Sequence, residues 1–198
     1  MRENKSSART KQMMVQALED LLQEKGIDKI TIRDITKKCN INRQTFYYHF
    51  HDIYELAEWM SKAYTEQVLG KEINLDDWDE ALLNAAKFLL KKKNMVMNLF
   101  RSLGHQYITN FLNEYIRPYI VNIIRKIPES KKIDDSYSNF LSDYYTIAFS
   151  SILVEWLASD WYAKTSPEEL VRLLKITYEG NMESAIKKYY ASVNCKTV

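Results

Sequence analysis

Residues 41 to 50 read INRQTFYYHF, with an Arg and a Gln just ahead of a run of four aromatic side chains and a histidine, in a chain of 198 residues that has only 4 Gly and 3 Pro. Arg can fork onto a guanine edge or a phosphate, Gln can pair with adenine, and a tyrosine hydroxyl can donate to a phosphate oxygen, so this set suits DNA. The same aromatics could instead fill a core or offer a stacking surface. Projection at 100° per residue separates the roles. Phe46 and Phe50 are four apart and fall on one side, while Arg43, Gln44, Tyr47 and Tyr48 fan across about 140° of the other. The phenyl rings are expected to point in and the polar set out. The competing reading has Tyr47 and Tyr48 covering the junction with the next helix.

The elements that must hold this stretch are legible from caps and periodicity. Thr10 to Lys25 carries Met13, Met14, Ala17, Leu18, Leu21 and Leu22 at the spacing of one buried helical face, and Gly26 reads as its stop. Thr31 can cap a second helix to about residue 39, with Asp34 in its first turn and Ile32, Ile35 and Cys39 as its apolar stripe. Asn40, Ile41 and Asn42 then interrupt, and helix restarts from Asn42 through Phe50. Two short helices joined by a three-residue turn form a helix-turn-helix.

Composition sets the wider frame. Apolar residues make up 46% of the chain, enough for a sizeable core, and the scarcity of Gly and Pro favours helices, so the expected fold is all-α. The first 51 residues hold 10 Lys and Arg against 6 Asp and Glu, leaving 18 against 20 in the remainder, so the helix-turn-helix lies in the basic part. The N-terminus lacks an apolar leader and no later run is long and apolar enough to span a bilayer, which predicts a cytoplasmic protein with no membrane association. Cys39 and Cys195 are lone thiols outside any ligand spacing and are read as reduced and incidental. His49 and His51 are two apart, only His105 remains, and no phosphate-cradling glycine motif occurs, so no catalytic metal site, no cofactor and no enzymatic activity are expected.

The run TIRDITKKCNINRQTFYYHFHDIYEL, residues 31 to 56, closely resembles the DNA-binding domain of the TetR/AcrR family of bacterial transcriptional regulators, whose hallmark is Thr45, Phe46, Tyr47, Tyr48, His49 and Phe50 here. That resemblance implies a DNA-binding regulator in which Arg33, Arg43, Gln44, Thr45, Tyr47, Tyr48 and His49 occupy DNA-contacting positions. It implies a three-helix domain over residues 1–51 and a helical effector-binding and dimerisation domain over 52–198, about nine helices in all. Many members carry a Lys shortly after the His-Phe pair; Ile53 stands there in this chain, and His51 is the nearest substitute.

Further along, Asp52 to Gly70 reads as one long helix, Asp76 or Asp77 opens another to about Lys93, and the triple lysine at 91 to 93 is read as a solvated helix end rather than a DNA patch. Asn94 to Ser102 reads as short and apolar, Tyr107 to Lys126 as a helix bent at Pro118, and 127 to 138 as a loop. Helices then run from Tyr137 to Ala163 and, after a Ser166-Pro-Glu-Glu start, from Leu170 to Tyr190. FSSILVEWLASDWYAKTSPEELVRLL, residues 149 to 174, resembles the C-terminal domain of a Gram-positive subgroup that includes regulators of dihydroxyacetone kinase genes.

By the family resemblance these last two helices pair with their copies in a homodimer. The DNA partner is then a double-stranded operator built as an inverted repeat. The expected function is a repressor released by a small-molecule effector, with regulation or activation through a protein partner as the alternative. Trp59, Met97, Phe100, Tyr107, Phe111 and Tyr144 could line an effector pocket, and the same spacing also suits plain core.

Overall fold

A computed structural model describes residues 5–70, 77–159, 164–178 and 180–194. Among the described residues the regular secondary structure is helical, with α-helices α1 Lys5–Leu22, α2 Ile32–Cys39, α3 Arg43–His49, α4 Ile53–Leu69, α5 Trp78–Lys91, α6 Lys93–Phe111, α7 Arg117–Lys126, α8 Asp135–Ala158, α9 Pro167–Tyr178 and α10 Asn181–Asn194. By contact they form two compact units, Met1–Gln67 with Lys92–Ile108, and Val68–Lys91 with Thr109–Val198.

In the first unit α1 buries Met14, Val15, Ala17, Leu18 and Leu22. Met13 lies outside this face, 39% exposed, because it projects to the flank of the row that runs through Met14, Leu18 and Leu22. Helix α1 begins five residues before Thr10 and ends at Leu22, ahead of the expected Lys25. Gly26 is therefore not a left-handed C-cap: it has φ −65 and caps a short 3-10 turn, Ile27–Lys29. Its lack of a side chain serves close approach, since a Cβ there would lie 2.1 Å from Ser102 Oγ. That contact brings the first half of α6 against the end of α1, where the Asn98 side-chain amide also donates to the Leu22 carbonyl at 2.9 Å.

The triple lysine is only partly solvated. Lys91 and Lys93 are exposed, but Lys92 pairs with Glu19, a carboxylate 6% exposed on α1 that also accepts a hydrogen bond from the Tyr64 hydroxyl on α4. Burial, reinforced by that bond to Glu19, pushes the Tyr64 phenol far above its usual range, so it stays a donor.

The second unit has its core in Ile120, Ile124, Ile127, Leu141, Tyr145 and Ile186. Two surface ion pairs tie α5 to α9, Lys175 with Asp79 at 2.6 Å and Lys87 with Glu168 at 2.9 Å. Several boundaries differ from the sequence reading. The apolar 94 to 102 segment continues to Phe111 through a kink at Gly104, whose φ is 76. The chain then bends in a π-helical turn, Leu112–Ile116, and Pro118 sits harmlessly in the first turn of α7. The expected 127 to 138 loop holds a 3-10 turn, Pro128–Lys132, and α8 starts early because the Asp134 carboxylate caps it by accepting from Tyr137 N at 2.8 Å. Ser166 caps the next helix as read, accepting from Glu169 N at 3.2 Å. The single terminal helix is in fact two, α9 and α10, with Gly180 between them in the left-handed region at φ 74. The end of the predicted 137 to 163 helix lies partly outside the described residues.

Candidate nucleic-acid interface

Local chemistry places α2 and α3. A reciprocal capping box starts α2: Asp34 N donates to Thr31 Oγ1 at 3.2 Å and Thr31 N to Asp34 Oδ2 at 3.0 Å. The Thr31 backbone N–H, then its hydroxyl and the Lys25 ammonium, hold the Asp34 carboxyl below its usual range, so the cap stays charged in mild acid. Asn40 ends the helix in the left-handed region at φ 53, which its short polar side chain tolerates. The Cys39 thiol is buried and donates to the Met13 carbonyl at 3.2 Å, which fits a structural role.

Asn42 then opens α3, accepting from Thr45 N at 2.7 Å and from the Thr45 hydroxyl at 3.0 Å. Phe46 is fully buried and Phe50 nearly so, their rings 6.2 Å apart, and Phe50 meets Trp59 of α4 at 6.2 Å. Opposite them Arg43 and Gln44 are exposed, Tyr47 is 57% and Tyr48 81% exposed. Helix α3 has 7 residues and so extends about 10 Å, a length that fits a major groove about 12 Å wide.

Arg33 is exposed in the first turn of α2, while Thr45 and His49 are half-buried. The Tyr47 ring stands edge-on to Phe46 at 5.8 Å, and Tyr48 edge-on to His49 at 4.9 Å, so the exposed phenols are braced from within α3. Lys25 and Lys38 are neutralised by Asp34 and Asp20 at 3.2 and 3.1 Å. Arg33, Lys37 and Arg43 have no ion pair among the described residues, which leaves uncompensated positive charge on α2 and α3. Lys37 was not singled out from sequence; its exposure on α2 is the signal.

Of the six residues read as a pocket, Trp59, Met97, Phe100 and Tyr107 belong to the first unit and Phe111 and Tyr144 to the second. Met97 is buried, Phe111 packs on Tyr115 at 5.1 Å, and Tyr144 is 51% exposed on the wall of an open groove of about 680 Å³ between α8 and α10. Among the described residues no group of His, Cys, Asp and Glu is placed to hold a metal ion, and no helix is long and apolar enough to cross a membrane.

Comparison with known proteins agrees with this geometry. The family described as bacterial regulatory proteins, tetR family, matches residues 15–60, and one described as transcriptional regulator C-terminal region matches 76–180. The HTH-type dhaKLM operon transcriptional activator DhaS of Lactococcus lactis is 26% identical over 112 residues, 55% of this chain and 60% of that protein. The uncharacterized HTH-type transcriptional regulator YxbF of Bacillus subtilis is 31% identical over 125 residues, 62% of this chain but 31% of its own length. The alignments thus span less than two thirds of either relative. A solved dihydroxyacetone kinase operon activator DhaS superposes with a TM-score of 0.65 at 22% identity, over 90% of this chain and 96% of that one. A TetR transcriptional regulator from Streptococcus agalactiae superposes with 0.60 at 20% identity, over 85% and 92%. With both halves matched in chain order, this protein belongs to the TetR family of bacterial transcriptional regulators and carries its helix-turn-helix DNA-binding domain.

Proposed function

We propose that the protein is a homodimeric repressor that reads an inverted-repeat operator in the cytoplasm, acts by binding rather than by catalysis, and leaves the DNA when an effector engages the region after residue 51. The observation that carries this reading is the two-sided character of α3, with Phe46 buried and Tyr47, Tyr48, Arg43 and Gln44 exposed. Arg43 and Gln44 are the base readers and Tyr47 and Tyr48 the phosphate donors, with Arg33 and His49 beside them. Thr45 has a narrower role. A hydroxyl has one proton, and that proton is donated to Asn42, so Thr45 fixes the start of α3 and does not donate to phosphate, which only accepts.

Selection of bound duplexes from a random pool is expected to return an inverted repeat with half-sites about one helical turn or a multiple apart. Arg43→Ala and Tyr47→Ala together are expected to weaken that duplex by about a hundredfold, one base contact and one phosphate contact, while helix content stays unchanged. Unchanged affinity in the double variant removes α3 as the reading helix.

The dimer proposal is supported by Phe140, Tyr144 and Ile147 of α8, which are 60%, 51% and 61% exposed and form one stripe at i, i+4 and i+7 that continues to the exposed Ser151. A small residue among large ones suits close helix approach. Ile147→Glu is expected to yield monomers by sedimentation at micromolar concentration without loss of helix content, since its side chain covers little of its own core; a persistent dimer places the interface elsewhere.

A second reading is favoured by one relative, which is an operon transcriptional activator. In that reading the C-terminal region answers to a protein partner and DNA-bound protein raises transcription. The sign of an effector's action on DNA affinity separates the two: a repressor's effector and DNA weaken each other reciprocally, an activator's need not.

A further inference from the structure

The groove of about 680 Å³ between α8 and α10 is built chiefly from aromatic rings. Tyr137 of α8 stacks on Tyr189 of α10, centroids 3.8 Å apart and planes within 5°, so the two helices are joined ring to ring. Along α8 the rings of Phe140 and Tyr144 follow at 6.1 and 6.4 Å, each tilted only 19° and 23° from the ring before it. The α8 wall therefore shows ring faces of similar orientation, which suits a flat guest. Leu141 and Tyr145, both 3% exposed, supply apolar surface at the base.

The groove's charge is as simple as its shape. Among the described residues that line it, Lys188 is the single charged side chain. Lys188 is exposed and has no ion pair among the described residues, whereas its neighbour Lys187 pairs with Glu129 at 3.4 Å. Asp134, the acid at the start of α8, is already engaged: it accepts from Tyr137 N at 2.8 Å and from the Tyr189 hydroxyl. Burial pushes the Tyr145 phenol up to about 12 and raises those of Tyr137 and Tyr178, while the bond to Asp134 raises that of Tyr189. These phenols stay neutral, which leaves one positive charge beside an aromatic wall and no negative one.

We infer that the groove between α8 and α10 binds a planar aromatic carboxylate, with its ring against the α8 wall and its anion at Lys188. A carboxylate is ionised at neutral pH and carries one negative charge, which one ammonium balances; a phosphate monoester would carry nearly two. The ring faces contribute apolar burial and the single cation fixes the orientation, the usual division of labour in a ligand site. Binding there is independent of whether the protein represses or activates.

Equilibrium dialysis of the full chain against naphthoate, and against naphthalenemethanol as the same ring without the charge, tests this. The native protein is expected to hold naphthoate about tenfold more tightly than the alcohol, the size of one charge-assisted contact. Lys188→Gln should remove that preference and still bind the alcohol, and Lys187→Gln should keep it. Ser184→Phe, which sets a ring in the groove, should abolish binding of both with helix content unchanged. No naphthoate bound by the native chain at millimolar concentration overturns the inference, as does an undiminished preference in Lys188→Gln or undiminished binding in Ser184→Phe. The rival occupant is a second copy, because Phe140 and Tyr144 belong to the exposed α8 stripe as well as to the groove. Sedimentation of the same samples identifies it: naphthoate binding that appears only as dimers dissociate would seat the second copy there and overturn the inference.

Discussion

Phe46→Ala is expected to cost the DNA-reading unit about 3 to 5 kcal/mol, enough to unfold it in a protein of ordinary stability. Helix α3 has 7 residues, far below the length at which an isolated helix persists in water, so tertiary contact must hold it. That contact comes chiefly from Phe46, which has no exposed surface, and from Phe50 at 2%. Removing the Phe46 ring leaves a cavity that the backbone of so short a helix can close only by abandoning its cap at Asn42. Urea unfolding followed by circular dichroism should show an early transition for this unit, and Phe46→Leu should restore most of the loss by refilling the volume. A cost under about 1 kcal/mol would mean that α3 is held by something other than its buried rings, and the fixed outward display of Tyr47 and Tyr48 would lose its physical basis.

The start of the chain was readable because its signals are local. Thr31 with Asp34, Asn42 with Thr45 and Asp52 with Glu55 each make their cap within three or four residues, so sequence alone specifies the bond that forms. The aromatic spacing 46 and 50 specifies the buried side by helical period alone. What sequence could not show was distant pairing. Glu19 looks like one more solvated acid on α1, and Lys92 like the middle of a charged helix end; only the return of α6 to α1, 73 residues later, buries the one against the other. Gly26 was misread for the same reason, since the side chain that excludes a Cβ there belongs to Ser102.

In the second unit the caps at Asp134 and Ser166 were again short-range, and Ser166 was legible. The π-helical turn at Leu112–Ile116 has no sequence marker as plain as a proline, and the nearest proline drew the bend to the wrong place. The break between α9 and α10 turns on one glycine, which a continuous apolar period conceals. Pocket residues were the least legible, because Trp59, Met97 and Tyr144 obey the same periodicity whether they face core, cavity or solvent, and the three end in different surroundings.

The buried acid carries the other large expected effect. Lys92→Met keeps the length of the side chain and removes its charge, leaving the Glu19 carboxylate with Tyr64 as its described donor. Removing one member of a buried pair typically costs about 3 to 5 kcal/mol; with the Lys92 side chain 23% exposed, about 2 to 4 is expected. Glu19→Leu combined with Lys92→Met should recover much of that loss, because two apolar side chains leave no unpaired charge, and the two substitutions should therefore be strongly non-additive. Additive costs would show that the pair is a surface contact of small worth. The consequence reaches α3, for Glu19 lies on α1, the helix whose Met13 carbonyl accepts from Cys39 of α2, so loosening α1 at α6 should weaken operator binding although Arg43 and Tyr47 are untouched. Native DNA affinity in Lys92→Met, measured at a temperature where the variant stays folded, would confine the role of the pair to stability.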